Sequence, residues 1–215
     1  MPAHFEPTKL RLRTSDNLTL EAEIVVPAAP KAAVLLAHPH PLHGGTMQSL
    51  VISELFRQLP MFGVATLRSN FRGVGASQGV HDNGIGEQLD LLAGLDTLAR
   101  AVPDVTMVLT GWSFGADVGL AVTDERLHGW FAIAPPMRIL PLEDLRASAD
   151  PRPKMLAIPQ HDEYNPPVRA RRLTENWSAT RLEVLAGADH FLAGSTDRLA
   201  TMLHEFLESV SGRSR

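Results

Sequence analysis

A serine lies between two glycines at residues 111–115, which read Gly-Trp-Ser-Phe-Gly. An apolar run typical of a β-strand, residues 105–110, precedes this segment, and a stretch typical of a helix, residues 116–123, follows it. Glycines let the chain turn sharply from strand to helix, and such a turn holds the serine in a strained conformation with its hydroxyl exposed. The motif is short, so the flanking strand and helix carry much of its signal. We predict that Ser113 is a nucleophile.

Two further residues supply the base and the acid that a serine nucleophile needs. A serine hydroxyl is weakly nucleophilic until a base, usually a histidine oriented by a carboxylate, removes its proton. Asp162 comes just after a predicted strand at residues 154–159, and His190 follows another at residues 181–185. Catalytic groups of open parallel sheets lie beyond the carboxyl ends of the strands. We therefore predict a catalytic triad of Ser113, Asp162 and His190, in the chain order Ser, Asp, His.

The choice of the acid has an alternative in the neighbouring residue. Glu163 also carries a carboxylate, so the residues alone leave either side chain open as the partner of His190. Asp189 adjoins His190 in a tight segment where its side chain should point elsewhere, and we predict that it forms a turn.

Two backbone N–H groups are also required, because they hold the oxyanion of an acyl-transfer intermediate. The residue after the nucleophile, Phe114, supplies one, and the loop after the first core strand, residues 38–46, supplies the other. The prolines of this loop have no N–H, which leaves His40 or Leu42 as the donor. We predict that His40 is the donor, in a loop that its prolines stiffen.

The same loop contains three histidines whose spacing is compatible with a metal site. His38, His40 and His43 form H-x-H-x-x-H, and imidazole is a common ligand of zinc and iron. The pattern is similar to the first metal motif of the metallo-β-lactamase fold, but Leu42 stands where that motif has an aspartate, and no further ligand cluster is evident. We favour a structural role for His38 and a place beside the cleft for His43, and we predict neither a metal nor a cofactor. A metal-dependent hydrolase is the less favoured alternative.

A glycine-rich loop at residues 70–79 raises the question of a dinucleotide-binding site. It does not fit a dinucleotide site, because Gly79 falls one residue late for G-x-G-x-x-G and no acidic residue stands in the ribose position. We predict a structural loop beside the cleft, in which Arg72 donates hydrogen bonds to backbone carbonyls.

Strand and helix patterns alternate along the chain, as in an α/β fold with a mostly parallel sheet. The first thirty residues read as a β-hairpin, which adds antiparallel strands at one edge. The remaining strands are predicted at residues 32–37, 64–67, 105–110, 129–134, 154–159 and 181–185, and helices from near 46 to 59, 85 to 99, 116 to 123 and 196 to 210. About twenty residues separate 134 from 154, too few for a lid domain. We predict a single domain over residues 1–215 without a cap.

Composition and charge exclude several classes of protein. The 215 residues are 44% hydrophobic and 20% charged, and their net charge of −4 argues against nucleic acid or an anionic membrane as the main partner. The absence of cysteine rules out disulfides, thiolate chemistry and cysteine-ligated zinc. No apolar run approaches the roughly 18 residues of a membrane span, and residues 1–7 show no signal-peptide pattern. We expect a cytoplasmic protein whose partners are small molecules; its oligomeric state is left open.

Taken together, these segments resemble the small, lidless α/β-hydrolases of bacteria, often grouped with dienelactone-hydrolase-like proteins. The similarity runs from about residue 8 to the final helix, and the matching segments are residues 38–47 with their His-Pro-His-Pro start, 70–79, 82–87, 111–115 and 187–191. The resemblance implies an eight-stranded sheet whose second strand is antiparallel, the absence of a cap domain, and the triad of Ser113, Asp162 and His190.

One segment departs from the family pattern. Relatives usually carry H-G-x-x-D before the acid, whereas this chain has Ile-Pro-Gln-His-Asp at residues 158–162. Pro166 nevertheless matches the downstream proline of the D-x-x-x-P pattern. The resemblance therefore favours Asp162 over Glu163 as the acid.

From these residues we predict a serine hydrolase that cleaves small, accessible carboxylic esters through an acyl-enzyme intermediate. Four aromatic residues are candidates for the apolar walls of its cleft: Trp112, Phe114, Tyr164 and Phe191. Trp112 could equally pack beneath the sheet. The alternatives are a serine peptidase or amidase of the same fold and, less favoured, a non-catalytic binding protein. A competent residue at every catalytic position argues against the binding protein.

Overall fold

Eight strands and five α-helices organise residues 5–212, the part of the chain that the computed structural model describes. The strands are β1 Thr8–Arg13, β2 Thr19–Val25, β3 Ala32–Ala37, β4 Val64–Ser69, β5 Thr106–Trp112, β6 Leu127–Ile133, β7 Lys154–Pro159 and β8 Thr180–Leu185. The helices are α1 Leu50–Gln58, α2 Glu87–Ala101, α3 Phe114–Ala121, α4 Pro167–Thr174 and α5 Thr196–Ser211. The strands form one sheet in the order β1-β2-β4-β3-β5-β6-β7-β8.

The predicted fold class is confirmed. Strand β2 pairs antiparallel with both β1 and β4, and the other neighbouring strands pair parallel, so the N-terminal hairpin forms one edge of a mostly parallel sheet. Between β6 and β7, residues 134–153 form turns and two short 3-10 helices rather than an inserted cap. The carboxyl ends of β5, β7 and β8, where the predicted triad residues follow, therefore lie at one uncovered edge of the sheet.

Two hydrophobic cores lie on opposite faces of this sheet. Successive side chains of a strand point to opposite faces, so Leu35 of β3 joins one core and Leu36 joins the other. Helices α2 and α3 pack on the first core, and α1 and α5 pack on the second. Burial on both faces explains why β3 reads as a continuous apolar run instead of an alternating one.

Two helices begin later than their sequence patterns predict, because a polar turn occupies the preceding residues. Before α1, the Thr46 N–H donates to the Ser49 hydroxyl and the Ser49 N–H donates back to the Thr46 carbonyl. Before α2, the Glu87 carboxylate accepts from the N–H groups of Asp82 and Gly84, and this turn leaves Ile85 exposed outside the helix.

Helix α4 has no counterpart among the predicted helices. Its sequence, Pro-Val-Arg-Ala-Arg-Arg-Leu-Thr, lacks the apolar stripe on which such a prediction depends. Only Ala170 and Thr174 of this helix are buried. Its position follows instead from contacts with β7 and β8.

The prediction for Arg72 is wrong in its partners. Its guanidinium donates to carboxylates, 2.7 Å from Asp90 Oδ1 and 2.9 Å from Asp16 Oδ2, and not to backbone carbonyls. Asp90 is fully buried on α2, and a buried carboxylate needs a nearby cation to offset its desolvation. The pair therefore fixes the glycine-rich loop against α2.

Within residues 5–212, no helix is both long enough and apolar enough to span a membrane. The single domain over residues 1–215 stays a prediction, because residues 1–4 and 213–215 lie outside the described range. The signal-peptide prediction for residues 1–7 falls partly on the same undescribed residues.

Candidate active site

The turn between β5 and α3 holds Ser113 in a strained conformation, with φ of 55° and ψ of −119°. Its two flanking glycines are sterically required. A Cβ on Gly111 would lie 2.2 Å from the carbonyl oxygen of Gly115, and a Cβ on Gly115 would lie 2.4 Å from that of Ala37. Both distances are far below van der Waals contact, so the turn closes tightly enough to expose the serine hydroxyl only with glycine at both positions.

The structure brings the three predicted triad residues together in one hydrogen-bonded chain. His190 Nε2 lies 2.9 Å from Ser113 Oγ, and His190 Nδ1 lies 2.8 Å from Asp162 Oδ2. An ionised carboxylate only accepts hydrogen bonds, so the proton between the latter two residues belongs to Nδ1. His190 Nε2 is then free to accept the proton of the serine hydroxyl.

Both oxygens of Asp162 have partners, whereas Glu163 lies at the surface. Asp162 Oδ1 accepts from the backbone N–H groups of Tyr164 and Asn165, at 2.8 and 3.0 Å, while Oδ2 faces His190. The side chain of Asp162 is buried and that of Glu163 is exposed. The geometry thus supports Asp162 over Glu163 as the partner of the imidazole.

The loop that carries His190 is fixed by hydrogen bonds on both sides. Asp189 Oδ1 accepts from the N–H groups of Phe191 and Leu192, at 3.0 and 3.1 Å, so Asp189 forms the turn as its position in the sequence indicates. Trp112 Nε1 donates to the His190 carbonyl over 3.2 Å. These bonds hold the imidazole beside Ser113, because they anchor its backbone to β5 and to its own turn.

The two predicted oxyanion donors lie at the start of α3 and in the loop after β3. Phe114 is the first residue of α3, so its N–H has no acceptor within the helix. The Leu42 N–H, the alternative donor, is occupied because it donates to Nδ1 of His40 over 3.2 Å. The N–H groups of Phe114 and His40 donate to no loop carbonyl or side chain among residues 5–212.

A tight turn presents the His40 N–H. The carbonyl of His40 accepts from the N–H groups of His43 and Gly45, both over 3.0 Å. A Cβ on Gly45 would lie 2.2 Å from the Pro39 carbonyl oxygen, so the loop folds back this closely only with glycine there. The carbonyl of His40 is thus used to close the turn, whereas its N–H donates to no loop carbonyl or side chain among residues 5–212 and stays available.

The three histidines of this loop do not converge on a common point. His38 is fully buried, with Nδ1 at 2.7 Å from the Pro39 carbonyl and Nε2 accepting from the Phe71 N–H over 3.0 Å. Burial lowers the pKa of His38 to about 4, although its bond to Pro39 acts in the opposite direction. His40 stacks on His43 with ring centroids 4.5 Å apart. Among residues 5–212, no group of three or more His, Cys, Asp or Glu side chains is placed to hold a metal ion.

A cleft of about 350 Å³ opens above Ser113. This volume lies at the small end of the range for ligand sites. The four aromatic residues predicted as its walls all line it, together with His190, Arg138 and residues of the loop after β3. Phe191 stands at the rim with 57% of its surface exposed, whereas Trp112 is buried against the core beneath α5 and reaches the cleft with one edge of its surface.

Comparison with known proteins identifies the family to which this fold belongs. No protein-family model matches the chain. An uncharacterised protein of Rickettsia prowazekii is 33% identical over 201 residues, which cover 88% of this chain and 83% of the relative. The structure of an α/β serine hydrolase homologue from Coxiella burnetii is 31% identical, covers 93% of this chain and 97% of its own, and superimposes with a TM-score of 0.83. The chain belongs to the α/β-hydrolase family.

A second solved structure agrees with the absence of a cap. A serine hydrolase without a lid from Xanthomonas campestris is 25% identical to this α/β-hydrolase, covers 98% of this chain and 97% of its own, and has a TM-score of 0.84. The resemblance to small, lidless α/β-hydrolases that the sequence segments indicate is therefore confirmed.

One carboxylate that the sequence analysis does not single out anchors a wall of the cleft. Asp117 of the α/β-hydrolase is fully buried on α3, one turn after Ser113. Its Oδ1 accepts from the Met137 N–H over 2.9 Å, and its Oδ2 accepts from those of Arg138 and Ile139, at 3.0 and 3.1 Å. Helix α3, which follows Ser113, thus holds the loop after β6. Nothing in the local sequence pairs residue 117 with residues 137–139, so only the tertiary structure reveals this contact.

The same loop is held from its other side by the segment that follows the acid. Asn165 Nδ2 donates to the Pro135 carbonyl over 2.8 Å, and the guanidinium of Arg169 donates to the Pro136 carbonyl over 2.9 Å. Ala134 and Met137 adopt positive φ values of 46° and 50°. Such strain persists in residues other than glycine only where surrounding contacts over-determine the conformation, as they do here.

Replacing Gly115 with alanine in this α/β-hydrolase is expected to lower kcat by about 10²- to 10³-fold, the effect of losing one oxyanion donor. The new Cβ would meet the Ala37 carbonyl at 2.4 Å and push the start of α3, with the Phe114 N–H, away from β3. Gly119→Ala on the same helix is the matched control, because its Cβ would come no closer than 3.5 Å to a Leu109 side-chain atom. Steady-state kinetics on a p-nitrophenyl ester measure the difference; equal kcat values for both variants would contradict this role of Gly115.

The NMR shifts of the backbone amides that Asp117 binds are expected to follow the titration of its carboxyl group, with a midpoint near pH 6. Burial raises the pKa of Asp117 to about 6, although its three N–H donors act to lower it. Protonation replaces one acceptor oxygen with a hydroxyl, so the amide NMR shifts of Met137, Arg138 and Ile139 should move together as the pH falls through that value. Because the folded state binds the proton more tightly than the unfolded state, the residue's contribution to the free energy of unfolding should fall as the pH rises from 3.8 to about 6.

Asp117→Asn provides the control for this titration, since an amide does not ionise. The common midpoint should disappear in the variant. A wild-type midpoint below pH 4 would instead show that the three N–H donors outweigh the desolvation of the carboxylate.

Proposed function

We propose that this α/β-hydrolase is a serine esterase that cleaves small, accessible carboxylic esters through an acyl-enzyme. The observation that carries the proposal is the hydrogen-bonded chain from Ser113 through His190 to Asp162, at the floor of an uncovered cleft. Each residue has the chemistry that its role needs: a hydroxyl to attack, an imidazole to move the proton, and a buried carboxylate to hold the imidazole in the correct tautomer.

Acylation begins when Ser113 Oγ attacks the ester carbonyl carbon and its proton passes to His190 Nε2. Asp162 stabilises the imidazolium that forms, and the N–H groups of Phe114 and His40 donate to the oxyanion of the tetrahedral intermediate. The bond from carbon to the alcohol oxygen then breaks, and His190 gives its proton to that oxygen. The alcohol leaves, and the acyl group stays bound to Ser113 as an ester.

Deacylation repeats these steps with water as the nucleophile. His190 takes a proton from water as the water oxygen attacks the acyl carbon, and the same two N–H groups hold the second oxyanion. Collapse of this intermediate returns the proton to Ser113 Oγ and releases the carboxylic acid. All proton transfers of the cycle use residues of this chain, so the proposal assigns no step to a cofactor.

Two features of the site favour short esters over other substrates. A cleft of about 350 Å³ accommodates a small acyl or alcohol group. Its walls are largely apolar and aromatic, whereas a peptidase also needs polar groups that position the peptide chain on both sides of the scissile bond. We retain as predictions a cytoplasmic location and small-molecule partners without nucleic acid or membrane, in keeping with the net charge of −4.

Covalent labelling tests the proposal directly. A fluorophosphonate probe should modify the folded protein at one position, and mass spectrometry of its peptides should map the adduct to Ser113. A panel of p-nitrophenyl esters of increasing chain length, run beside aminoacyl amides, should then show turnover of short esters and slower or no turnover of amides. The proposal would be contradicted if the probe left the folded protein unmodified or modified another residue.

A further inference from the structure

One charged side chain of the cleft has no counter-ion. Of the described residues, Arg138 is the one Arg or Lys that lines the cleft, and no Asp or Glu lines it. No carboxylate of residues 5–212 lies within 4.0 Å of its guanidinium. Other arginines, by contrast, form ion pairs with acidic side chains: Arg57, Arg68, Arg72, Arg126, Arg152 and Arg181.

The guanidinium of Arg138 lies one aromatic ring away from the imidazole of the triad. Its Cζ is 4.9 Å from the centroid of the Tyr164 ring, and that ring is 4.4 Å from the centroid of His190. The aromatic face attracts the cation and favours its position over the Tyr164 ring at the cleft. A group bound by Arg138 would therefore sit beside the reacting atoms rather than at a remote surface.

Both residues of this pair are tied to the catalytic machinery through their backbones. The Arg138 N–H donates to Asp117 on the nucleophile helix, over 3.0 Å. The Tyr164 N–H donates over 2.8 Å to Oδ1 of Asp162, the same carboxylate that faces His190. The two buried carboxylates therefore fix the backbones from which the Arg138 side chain and the Tyr164 ring extend, and the exposed guanidinium rests on that ring.

A guanidinium presents parallel N–H groups whose spacing matches the two oxygens of a carboxylate. No Asp or Glu of the described residues lines the cleft beside Arg138, so a carboxylate on the substrate would supply the counter-ion that the guanidinium lacks there. We propose that Arg138 forms a subsite for a carboxylate on the substrate, so that the enzyme acts on esters that carry a second, ionised acid group. This inference rests on the proposed esterase function.

Matched pairs of esters test the subsite and distinguish which half of the ester carries the charge. For a charge in the acyl half, the substrates are the monomethyl esters of succinate, glutarate and adipate and their uncharged terminal amides. For a charge in the alcohol half, they are acetoxyacetate and acetoxyacetamide. The acid released by each ester is followed by titration at constant pH, which gives kcat/KM for every compound.

We expect kcat/KM to be at least about tenfold higher for the carboxylate than for its amide in one of the two series at low salt. In Arg138→Gln that ratio should fall to about one, because the glutamine has no charge to offer. Arg172→Gln is the matched control: Arg172 is an exposed arginine of α4 outside the cleft, so the variant makes the same change in net charge and should keep the wild-type ratio. In the wild-type enzyme, the ratio should also shrink as salt rises from about 0.02 to 0.5 M.

The outcomes separate the inference from the function on which it rests. Three results would overturn the subsite: a wild-type ratio near one in both series, a ratio that Arg138→Gln leaves intact, or a ratio that salt leaves unchanged. Cleavage of the ester bond in the uncharged compounds would still support the esterase in each of these cases. If no ester of either series is hydrolysed and the fluorophosphonate leaves Ser113 unmodified, the esterase proposal fails and the subsite falls with it. The salt series needs only the wild-type protein, so the test stands even if Arg138→Gln does not fold.

Discussion

Ser113→Ala is expected to lower kcat for a p-nitrophenyl ester by about 10⁶-fold, the size of loss that removing the serine of such a triad causes. The variant keeps His190, Asp162 and the oxyanion donors but has no atom that can form the acyl-enzyme. Any turnover that remains must come from direct attack of water in a site that still stabilises the oxyanion. The measurement is the steady-state rate together with the loss of fluorophosphonate labelling.

Ser49→Ala is the matched control for that prediction, because Ser49 is a second hydroxyl that lines the cleft. Its Oγ accepts from the Thr46 N–H over 3.1 Å, and among residues 5–212 it forms no hydrogen bond with an imidazole that would activate it. The control should stay labelled and keep most of the activity. Loss of labelling in Ser49→Ala with retention in Ser113→Ala would identify Ser49 as the nucleophile instead of Ser113.

The second large effect is expected for Asp162→Asn, with a loss of about 10⁴-fold in kcat. The asparagine can keep its oxygen toward the N–H groups of Tyr164 and Asn165, which places its NH₂ group opposite His190 Nδ1. An NH₂ group donates and does not accept, so the imidazole must then carry its proton on Nε2. In that tautomer His190 cannot take the proton of Ser113.

Glu163→Gln makes the same carboxylate-to-amide change at the next residue and serves as the control. Its side chain is exposed and makes no contact with the imidazole, so kcat should stay near the wild-type value. The kinetics of both variants are compared with their thermal unfolding, since a folded Asp162→Asn protein is needed for the comparison. A large loss in Glu163→Gln with little change in Asp162→Asn would reverse the assignment of the acid.

The residues that follow strand ends were predictable from the sequence because two independent patterns coincide there. Ser113 combines a glycine turn with flanking strand and helix signals, and Asp162 and His190 each follow an apolar run in the order that the fold requires. The choice between Asp162 and Glu163 depends on which side chain turns inward. The resemblance favours the former, and the structure shows the two N–H groups that hold it.

What could not be predicted depends on contacts between distant segments. The sequence does predict His40 over Leu42 as the oxyanion donor, but the local hydrogen bond that supports this prediction, from the Leu42 N–H to the His40 imidazole, is not evident from spacing. Asp117 reads as one more polar residue of an otherwise apolar helix until residues 137–139 are brought to it. Arg138 stands out as a candidate binding residue only in the folded chain, where no Asp or Glu of residues 5–212 lines the cleft beside it.

The turns and short 3-10 helices of residues 134–153, which leave the edge of the sheet uncovered, have a consequence for the fate of the acyl-enzyme. Enzymes with a mobile lid exclude bulk solvent during the reaction and reopen to release product. In the proposed mechanism no inserted cap closes over the acyl group on Ser113, so water at about 55 M would compete with any dissolved alcohol according to concentration and fit. In mixed solvents the same site would partition between hydrolysis and transesterification, and the shape of the cleft mouth would set the ratio of acid to new ester.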